Sequence, residues 1–245
     1  MDIKDKVVIV TGASAGIGLA VAELLTERGA KVALVARSLD RLHEISKRLL
    51  GSFPIRADMT REKDIKRMVR ETKNHYGRID ILINNAGQGC DAPVEKLKIE
   101  TYRKIFELIV VGPLVAMQQV IPIMREQKAG MIVNVSSGLA LMSLPGMSPY
   151  ASLKSALVNV SLTAREELKE DNIQVSVVYP YITDTDVEKN TIREIIEEVS
   201  EHAEDHGPGR PPDSPEYVAL KIVEGIESGE AEIFAHDWMR KMGRS

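Results

Sequence analysis

The stretch KVVIVTGASAGIG, residues Lys6–Gly18, decides the fold of this chain. Its first half is an apolar run rich in β-branched residues, which is typical of a buried strand. Its second half carries Gly12, Gly16 and Gly18, and an Ala/Leu/Glu-rich helical segment follows as far as Arg28. A strand that enters a glycine turn and then a helix is suited to phosphate, because the backbone approaches closely and the helix N-terminus offers free N–H groups. The stretch therefore predicts a nucleotide-binding α/β protein.

Further apolar segments continue this pattern along the chain. The strands predicted after the first are residues 31–36, 53–57, 79–83, 131–135, 173–179 and, at a sheet edge, 230–235. Helical periodicity separates the early strands, for example over residues 39–50, and strict alternation of this kind favours a parallel sheet. The length of 245 residues suits one α/β domain. We therefore predict a single dinucleotide-binding and catalytic domain, residues 1–245, with a Rossmann-type doubly wound parallel sheet and helices on both faces.

Composition excludes several classes of protein. The chain has 32 basic and 36 acidic residues, which argues against a nucleic-acid partner. Cys90 is the only cysteine, so no internal disulfide can form and a reducing compartment is expected. The N-terminus is too charged for a signal peptide, and we identify no uninterrupted apolar run that approaches a membrane span. These features predict a cytoplasmic protein with no membrane partner.

The end of the second predicted strand bears on the choice of cofactor. An NAD enzyme usually has an acidic residue there to bind the ribose hydroxyls. This chain has Ala36, Arg37 and Ser38 instead. A guanidinium binds a 2′-phosphate in a bidentate manner, whereas a carboxylate repels it. We favour NADP(H) over NAD(H); the alternative is that Arg37 is a solvated loop residue.

Polar and small residues close the third and fourth predicted strands. Asp58 could accept a hydrogen bond from the adenine amino group or could cap the following helix, and the sequence leaves both roles open. Asn84-Asn85-Ala86-Gly87 ends the fourth strand. Small side chains there allow a flat ligand to pack against the backbone, and the asparagines can join neighbouring strand ends.

A tyrosine and a lysine lie one helical turn apart in the sequence Ser148-Pro149-Tyr150-Ala151-Ser152-Leu153-Lys154. Pro149 suits the first position of a helix, and Ser148 is predicted to cap it. Tyr150 and Lys154 then share a face, and the ammonium together with the helix N-terminus favours the phenolate. Such a tyrosine can transfer a proton at ordinary pH. The alternative is an ordinary pair on a helix surface.

These motifs, taken in order, resemble the short-chain dehydrogenase/reductase family: the Thr11–Gly18 turn, the Asn84–Gly87 sequence, Ser137 thirteen residues before Tyr150, and the Tyr150-x-x-x-Lys154 pair. The resemblance implies an NADP(H)-dependent oxidoreductase that transfers hydride between the nicotinamide and a carbonyl or secondary alcohol. It implies Ser137, Tyr150 and Lys154 as catalytic residues, with Ser137 and Tyr150 also binding the substrate oxygen.

The resemblance also implies a cofactor-binding set and several general properties. A lid-like insertion is expected at about residues 184–212, and a tail without the family's glycine-rich ending favours a homodimer. The partner is a small molecule, and no metal site is predicted, although His202 and His206 lie four residues apart. The expected cofactor-binding residues are Gly12, Ser14, Gly16, Ile17, Gly18, Arg37, Ser38, Asp58, Met59, Asn85, Ala86, Gly87, Tyr150, Lys154, Pro180, Ile182 and Thr185.

The sequence departs from the family pattern at two positions. A long helix predicted over residues 101–127 should bend at Gly112-Pro113, and the family usually has an asparagine three residues before that glycine. Here the residue is Ile109, which cannot hydrogen-bond through its side chain. Tyr181 replaces a usual glycine and is expected to narrow the substrate pocket. These departures motivate the alternative of a dinucleotide-binding regulator or sensor with little or no turnover.

Overall fold

The computed structural model describes residues 1–185, 191–193 and 210–242. The β-strands are β1 Val7–Thr11, β2 Lys31–Ala36, β3 Phe53–Arg56, β4 Ile81–Asn84, β5 Cys90–Asp91, β6 Gly130–Val135, β7 Ile173–Tyr179, β8 Ile192–Arg193 and β9 Glu232–Phe234. The α-helices are α1 Gly16–Glu27, α2 Leu39–Ser46, α3 Glu62–Tyr76, α4 Ile99–Phe106, α5 Gly112–Gln127, α6 Ser148–Glu167 and α7 Pro215–Ser228. Single 3-10 turns cover Val94–Lys96, Gly138–Leu141, Lys169–Asp171 and Asp237–Lys241.

Seven of the strands form one parallel sheet in the order β3-β2-β1-β4-β6-β7-β9. The order reverses between β1 and β4, which is the switch point at which α/β sheets of this kind bind ligands. One apolar core packs α1, α2 and α7 against one face of the sheet, and a second packs α3, α5 and α6 against the other. The predicted fold class, a Rossmann-type doubly wound parallel sheet with helices on both faces, is confirmed.

All seven predicted strands exist, and the prediction of β9 as the edge strand is confirmed. Element ends are less accurate. The second helix, expected to reach residue 50, ends at Ser46. Ser214 caps α7 as its sequence suggests, because its hydroxyl accepts from the Tyr217 N–H at 3.2 Å. The prediction that Ser148 caps α6 is wrong: α6 begins at Ser148 itself, and within the described part of the chain its buried hydroxyl has no hydrogen-bond partner.

The long helix predicted over residues 101–127 begins earlier, at Ile99, and is interrupted by a π-helical segment, Glu107–Val111. The Gly112 N–H bonds to the Glu107 carbonyl, five residues back, and Pro113 has no N–H with which to restore the α-helical ladder. The irregularity therefore lies in the turn before Gly112-Pro113 and contains Ile109.

The combined run Ile99–Gln127 has 29 residues and, by length and composition alone, is long and apolar enough to cross a membrane. The expectation that no run approaches this size is therefore wrong. Buried α5 side chains pack on the sheet in the second core, and core helices of this kind pass the same test. Packing in the second core therefore explains why this helical run is so apolar.

Most of the predicted lid, about residues 184–212, lies outside the described residues, as do His202 and His206. Within the lid, residues 184–185, 191–193 and 210–212 are described. The short parallel pairing of β5 with β8 places residues 192–193 beside the loop that follows β4.

Candidate active site

The glycine turn after β1 forms a close-packed cradle. Gly12 has a φ of +72°, a conformation that disfavours side chains, and a Cβ there would lie 2.9 Å from Asn85 Nδ2. A Cβ on Gly18 would overlap the Gly12 carbonyl. A Cβ on Gly16 would lie 3.0 Å from Thr185 Cγ2, so these two expected cofactor-binding residues are adjacent. The residues present fit a dinucleotide whose phosphates approach this backbone.

A basic side chain and an apolar one support this turn from outside. Arg41 on α2 donates from Nε to the Ser14 carbonyl at 2.6 Å, which fixes the loop against the next βα unit. Ile17, predicted as a cofactor contact, is partly buried and packs on the first core. The α1 helix begins at Gly16 without a side-chain cap, so no side chain of its own satisfies its first N–H groups.

Thr11 joins the ends of β1 and β4. Its hydroxyl donates to the Ile83 carbonyl at 3.2 Å and accepts from the N–H groups of Asn85 and Ala86 at 2.9 and 3.1 Å. The Asn85 side-chain amide donates a hydrogen bond to the Thr11 carbonyl at 3.0 Å. These bonds hold the loop containing Ala86 and Gly87 at the switch point.

Asn84 belongs to a buried series of polar side chains that are linked by hydrogen bonds. Asn84 donates to Asn134 on β6 at 2.8 Å, and Asn134 donates to Ser161 on α6 at 2.7 Å. This series ties the helix that carries Tyr150 to the centre of the sheet. The sequence suggested that asparagines join strand ends here, but the partners Asn134 and Ser161 carried no recognisable signal.

Ser137, Tyr150 and Lys154 meet at the carboxyl end of β6. Ser137 follows the strand, and its hydroxyl is hydrogen-bonded to the Tyr150 phenol. Tyr150 lies in the first turn of α6, and Lys154 Nζ is 5.5 Å from the centre of its ring. The predicted shared face is therefore observed, and the alternative of a surface pair is wrong because Lys154 is only 4% exposed.

The proton affinities of these groups differ from the sequence expectation. Burial is the main cause of a rise in the pKa of Tyr150 to about 12. The Ser137 hydrogen bond lowers this pKa by a smaller amount, and the negative charge of Asp91 raises it slightly further. Burial lowers the pKa of Lys154 to about 8. The expectation of a lowered Tyr150 pKa is thus wrong for this structure, because desolvation outweighs the Ser137 hydrogen bond.

The Lys154 ammonium is hydrogen-bonded to the backbone at the end of β6. It donates to the Val135 carbonyl at 2.7 Å, while the Ser136 hydroxyl donates to the Lys154 carbonyl at 3.1 Å. A Cβ on Gly87 would lie 3.8 Å from Nζ. Lys154 therefore lies between the β4 loop and Tyr150, within reach of a ligand resting on Gly87.

Ile109 occupies the position at which the family usually has an asparagine. Its side chain is 1% exposed and packs with Cys90, Ile105 and Leu153, and Tyr150 lies at the margin of the same cluster. An apolar core contact has replaced a polar group beneath the tyrosine. The π-helical segment changes the backbone hydrogen bonding at the same point.

The end of the sheet beyond β2 and β3 is strongly basic. An open cavity of about 350 Å³ is lined by Arg37, Arg56, Asp58, Arg61, Asp64 and Arg67. Arg37 and Ser38 are both exposed there, after the last residue of β2. The predicted phosphate-binding arginine thus faces a cavity in which cations outnumber anions.

The capping role left open for Asp58 is wrong, because α3 begins at Glu62 and its N-cap residue is Arg61, which makes no side-chain capping bond. Asp58 Oδ1 accepts from the Thr60 N–H at 3.0 Å and from the Thr60 hydroxyl at 2.8 Å, in the turn that leads into α3. Met59 is buried in the second core. Its carbonyl oxygen lies close to Gly112, and a Cβ on Gly112 would overlap that oxygen. This contact brings the start of α5 against the cavity wall.

Residues after β7 extend the site. The Pro180 carbonyl accepts from the Gly138 N–H at 2.8 Å, next to Ser137, and Ile182 is partly exposed. The Tyr181 ring packs edge-on against His236 and Trp238, with centroid distances of 5.9 and 5.6 Å.

The C-terminal turn takes part in the same packing, because a Cβ on Gly138 would lie 2.7 Å from Met239 Cε. Tyr181 therefore anchors this turn through its ring. No motif predicted this contact of the C-terminal turn.

The β5–β8 pairing lies near Tyr150. The Ile192 N–H donates to the Gly89 carbonyl at 3.0 Å, and Arg193 forms an ion pair with Asp91 at 3.7 Å. A side chain on Gly89 would overlap Thr191. Asp91 is close enough to Tyr150 to influence its pKa, so this pairing borders the reacting groups.

The parallel sheet, the glycine turn at its switch point and the hydroxyl–phenol–ammonium cluster together define a Rossmann-type oxidoreductase. A family model described as short chain dehydrogenase matches residues 6–195. The chain therefore belongs to the short-chain dehydrogenase family, as the motifs predicted. Members of this family use a nicotinamide dinucleotide and act on small-molecule substrates.

Individual relatives agree with this assignment. An uncharacterized oxidoreductase of Staphylococcus saprophyticus is 35% identical over 76% of this chain and 77% of its own. A 3-oxoacyl-[acyl-carrier-protein] reductase of Thermotoga maritima is 34% identical over 76% of this chain and 77% of its own. A solved short-chain dehydrogenase from Streptomyces avermitilis superimposes with a TM-score of 0.86 at 29% identity, covering 99% of this chain and 92% of that one.

Proposed function

We propose that the protein is an NADP(H)-dependent carbonyl reductase or alcohol dehydrogenase in which Tyr150 is the acid and base. The observation that carries the proposal is the cluster of Ser137, Tyr150 and Lys154 at the carboxyl end of β6, beside the glycine cradle. When bound, the nicotinamide dinucleotide donates or accepts the hydride.

The chain's own residues divide the remaining work. Ser137 donates a hydrogen bond to the substrate oxygen and orients it toward Tyr150, which transfers the phenolic proton to that oxygen during reduction. Lys154 binds the ribose next to Gly87, and a cation in this place favours the developing phenolate. The raised pKa of Tyr150 keeps the phenol protonated, which suits proton donation.

The proposed cofactor site consists of four parts. The glycine turn, with Ser14, Ile17 and Thr185, holds the phosphates; Arg37 and Ser38 bind the 2′-phosphate; and Asp58 and Met59 border the adenine. Asn85, Ala86, Gly87, Pro180 and Ile182 surround the nicotinamide ribose and ring. The basic cavity supports NADP(H) over NAD(H), because a carboxylate in place of Arg37 would repel the extra phosphate.

We further propose a single-domain cytoplasmic homodimer. Apolar side chains on the surface of α4 and α5 support the dimer, since Ile99, Phe106 and Leu114 are 58, 38 and 37% exposed. A second copy would cover them. Light scattering after gel filtration tests this, and a monomeric mass at micromolar concentration would exclude it.

Steady-state NADPH oxidation over a panel of ketones, aldehydes and a 3-oxoacyl thioester tests the function. The thioester is included because of the Thermotoga maritima relative. Turnover of at least one carbonyl is expected. Tight NADPH binding without turnover of any member would instead favour a regulator or sensor, the alternative that Ile109 in place of the usual asparagine supports.

A further inference from the structure

The basic cavity contains a second arginine that no motif singled out. Arg56 is the last residue of β3 and pairs in register with Ala36, the last residue of β2. Arg37 follows Ala36 directly. Because neighbouring strands lie about 4.8 Å apart, the two arginines leave the sheet side by side at its carboxyl edge, and both line the cavity of about 350 Å³.

The other two arginines of the cavity are already engaged. Arg67 donates to Asp64 at 3.1 Å and to the Arg56 carbonyl at 2.7 Å, and it also pairs with Glu71 at 3.5 Å. Arg61 pairs with Asp58 at 3.9 Å. These contacts neutralise both aspartates that line the cavity and hold the backbone at the end of β3.

Arg37 and Arg56 differ from this engaged pair. In residues 1–185, 191–193 and 210–242, neither side chain takes part in the ion pairs or side-chain hydrogen bonds that the structure contains. Both are exposed to solvent at the mouth of the cavity. Two guanidinium groups from the ends of adjacent strands therefore line one cavity, and within the described part of the chain neither is paired with an anion.

A phosphate monoester is the ligand that this arrangement suits. It carries close to two negative charges and three acceptor oxygens, and each guanidinium presents a planar pair of donors. One arginine can donate hydrogen bonds to only some of the phosphate oxygens, whereas two arginines at neighbouring strand ends can bind the phosphate from two sides. The adenosine ribose of NAD(H) has an uncharged 2′-hydroxyl, so a second cation would strengthen its binding much less.

We propose that Arg56 is a second determinant of cofactor specificity that binds the 2′-phosphate together with Arg37. This inference rests on the proposed binding of a nicotinamide dinucleotide at the strand ends. Discrimination between NADP(H) and NAD(H) then depends on two arginines, Arg37 after β2 and Arg56 at the end of β3, and not on Arg37 alone. Arg67 holds the backbone of Arg56 in place.

Calorimetric titration of the full chain with NADP⁺ and with NAD⁺ tests the proposal without any substrate. Arg56→Ala should weaken NADP⁺ binding at least about tenfold, the loss expected for a charged hydrogen-bond pair, and leave NAD⁺ binding within about twofold. Arg56→Lys, which keeps the charge but not the fork, should give an intermediate value. Arg70→Ala, which removes an exposed arginine of α3 outside the cavity, is the matched control and should change neither affinity.

The double variant Arg37→Ala/Arg56→Ala should bind the two cofactors equally. An Arg56→Ala protein that keeps its full preference for NADP⁺, or that loses NAD⁺ binding to the same extent, overturns the role of Arg56 alone. A wild-type protein that binds NADP⁺ no better than NAD⁺ overturns the proposed preference as well. Thermal unfolding midpoints confirm that each variant is folded, which is expected because Arg56 is exposed.

Discussion

The ammonium of Lys154 lies 5.5 Å from the centre of the Tyr150 ring and donates to the Val135 carbonyl, not to the phenol oxygen. The two groups are thus adjacent but not bonded. Burial moves their pKa values toward the neutral forms, upward for Tyr150 and downward for Lys154. The lowered pKa of Lys154 costs stability wherever the unfolded lysine is still protonated, and a bound anionic dinucleotide would relieve that cost by favouring the ammonium.

Lys154 should make stability rise with pH. The unfolded lysine keeps its proton up to about 10.5, whereas the folded one loses it near 8, so between these values the unfolded chain binds more protons and folding is favoured as pH increases. From about pH 7.5 to about pH 9.5 the wild type should gain about 2 kcal/mol relative to Lys154→Met. Urea unfolding at the two pH values measures this, and equal changes in both proteins would refute it.

Arg37→Asp should shift cofactor preference toward NAD⁺. Reversing the charge after β2 replaces an attraction to the 2′-phosphate with a repulsion, so NADP⁺ binding should weaken by about one hundredfold while NAD⁺ binding holds or improves. Titration with each cofactor measures the ratio. Arg70→Asp makes the same charge change on α3, away from the cavity, and should leave the ratio unaltered; an unchanged ratio in Arg37→Asp would remove Arg37 from the site.

Ile109→Asn should cost stability without restoring a faster reaction. The side chain is buried among Cys90, Ile105 and Leu153, and an unpaired amide in that cluster costs about 1–3 kcal/mol. Ile109→Val, which keeps the cluster apolar, should cost about 1 kcal/mol and retain turnover. Denaturant unfolding and kcat measure both. A large rise in kcat of Ile109→Asn would instead mean that the native site lacks a proton relay that the amide supplies.

Gly89→Ala should impair substrate binding more than cofactor binding. Its methyl group would overlap Thr191 and separate β5 from β8, the strand pair near Tyr150 that we propose borders the substrate. We expect KM for the carbonyl substrate to rise several-fold, with NADPH affinity unchanged. Adding Thr191→Ala should recover part of the loss by making room. If Gly89→Ala leaves KM at its wild-type value, the pairing has no part in substrate binding.

Local patterns were sufficient for much of the fold. Each strand of the sheet is a short apolar run, so its periodicity is visible, and Ser214-Pro215 shows its cap directly. Ser148-Pro149 has the same signature, yet α6 begins one residue earlier and leaves the Ser148 hydroxyl without the capping bond, because tertiary packing fixes where α6 starts. Element ends depend on such packing and are therefore harder to predict.

The site divides in a similar way. Ser137, Tyr150 and Lys154 were found because a motif resemblance ties their spacing together. The pairing of Arg56 with Arg37 was not found, since it requires the register of β2 against β3. The contact of Met239 with Gly138 joins residues a hundred positions apart and leaves no local trace. The Tyr150 pKa was misjudged because the sequence shows the nearby cation but not the depth of burial.

The most direct test of the account is the NADPH oxidation rate of Tyr150→Phe on a carbonyl that the wild type reduces, with NADP⁺ affinity measured on the same preparation. Removing the phenolic proton should lower kcat by about 10²–10⁴-fold, the usual contribution of a positioned acid, while NADP⁺ binds within about twofold of wild type. A Tyr150→Phe protein that keeps full kcat would contradict the assignment of Tyr150 as the proton donor.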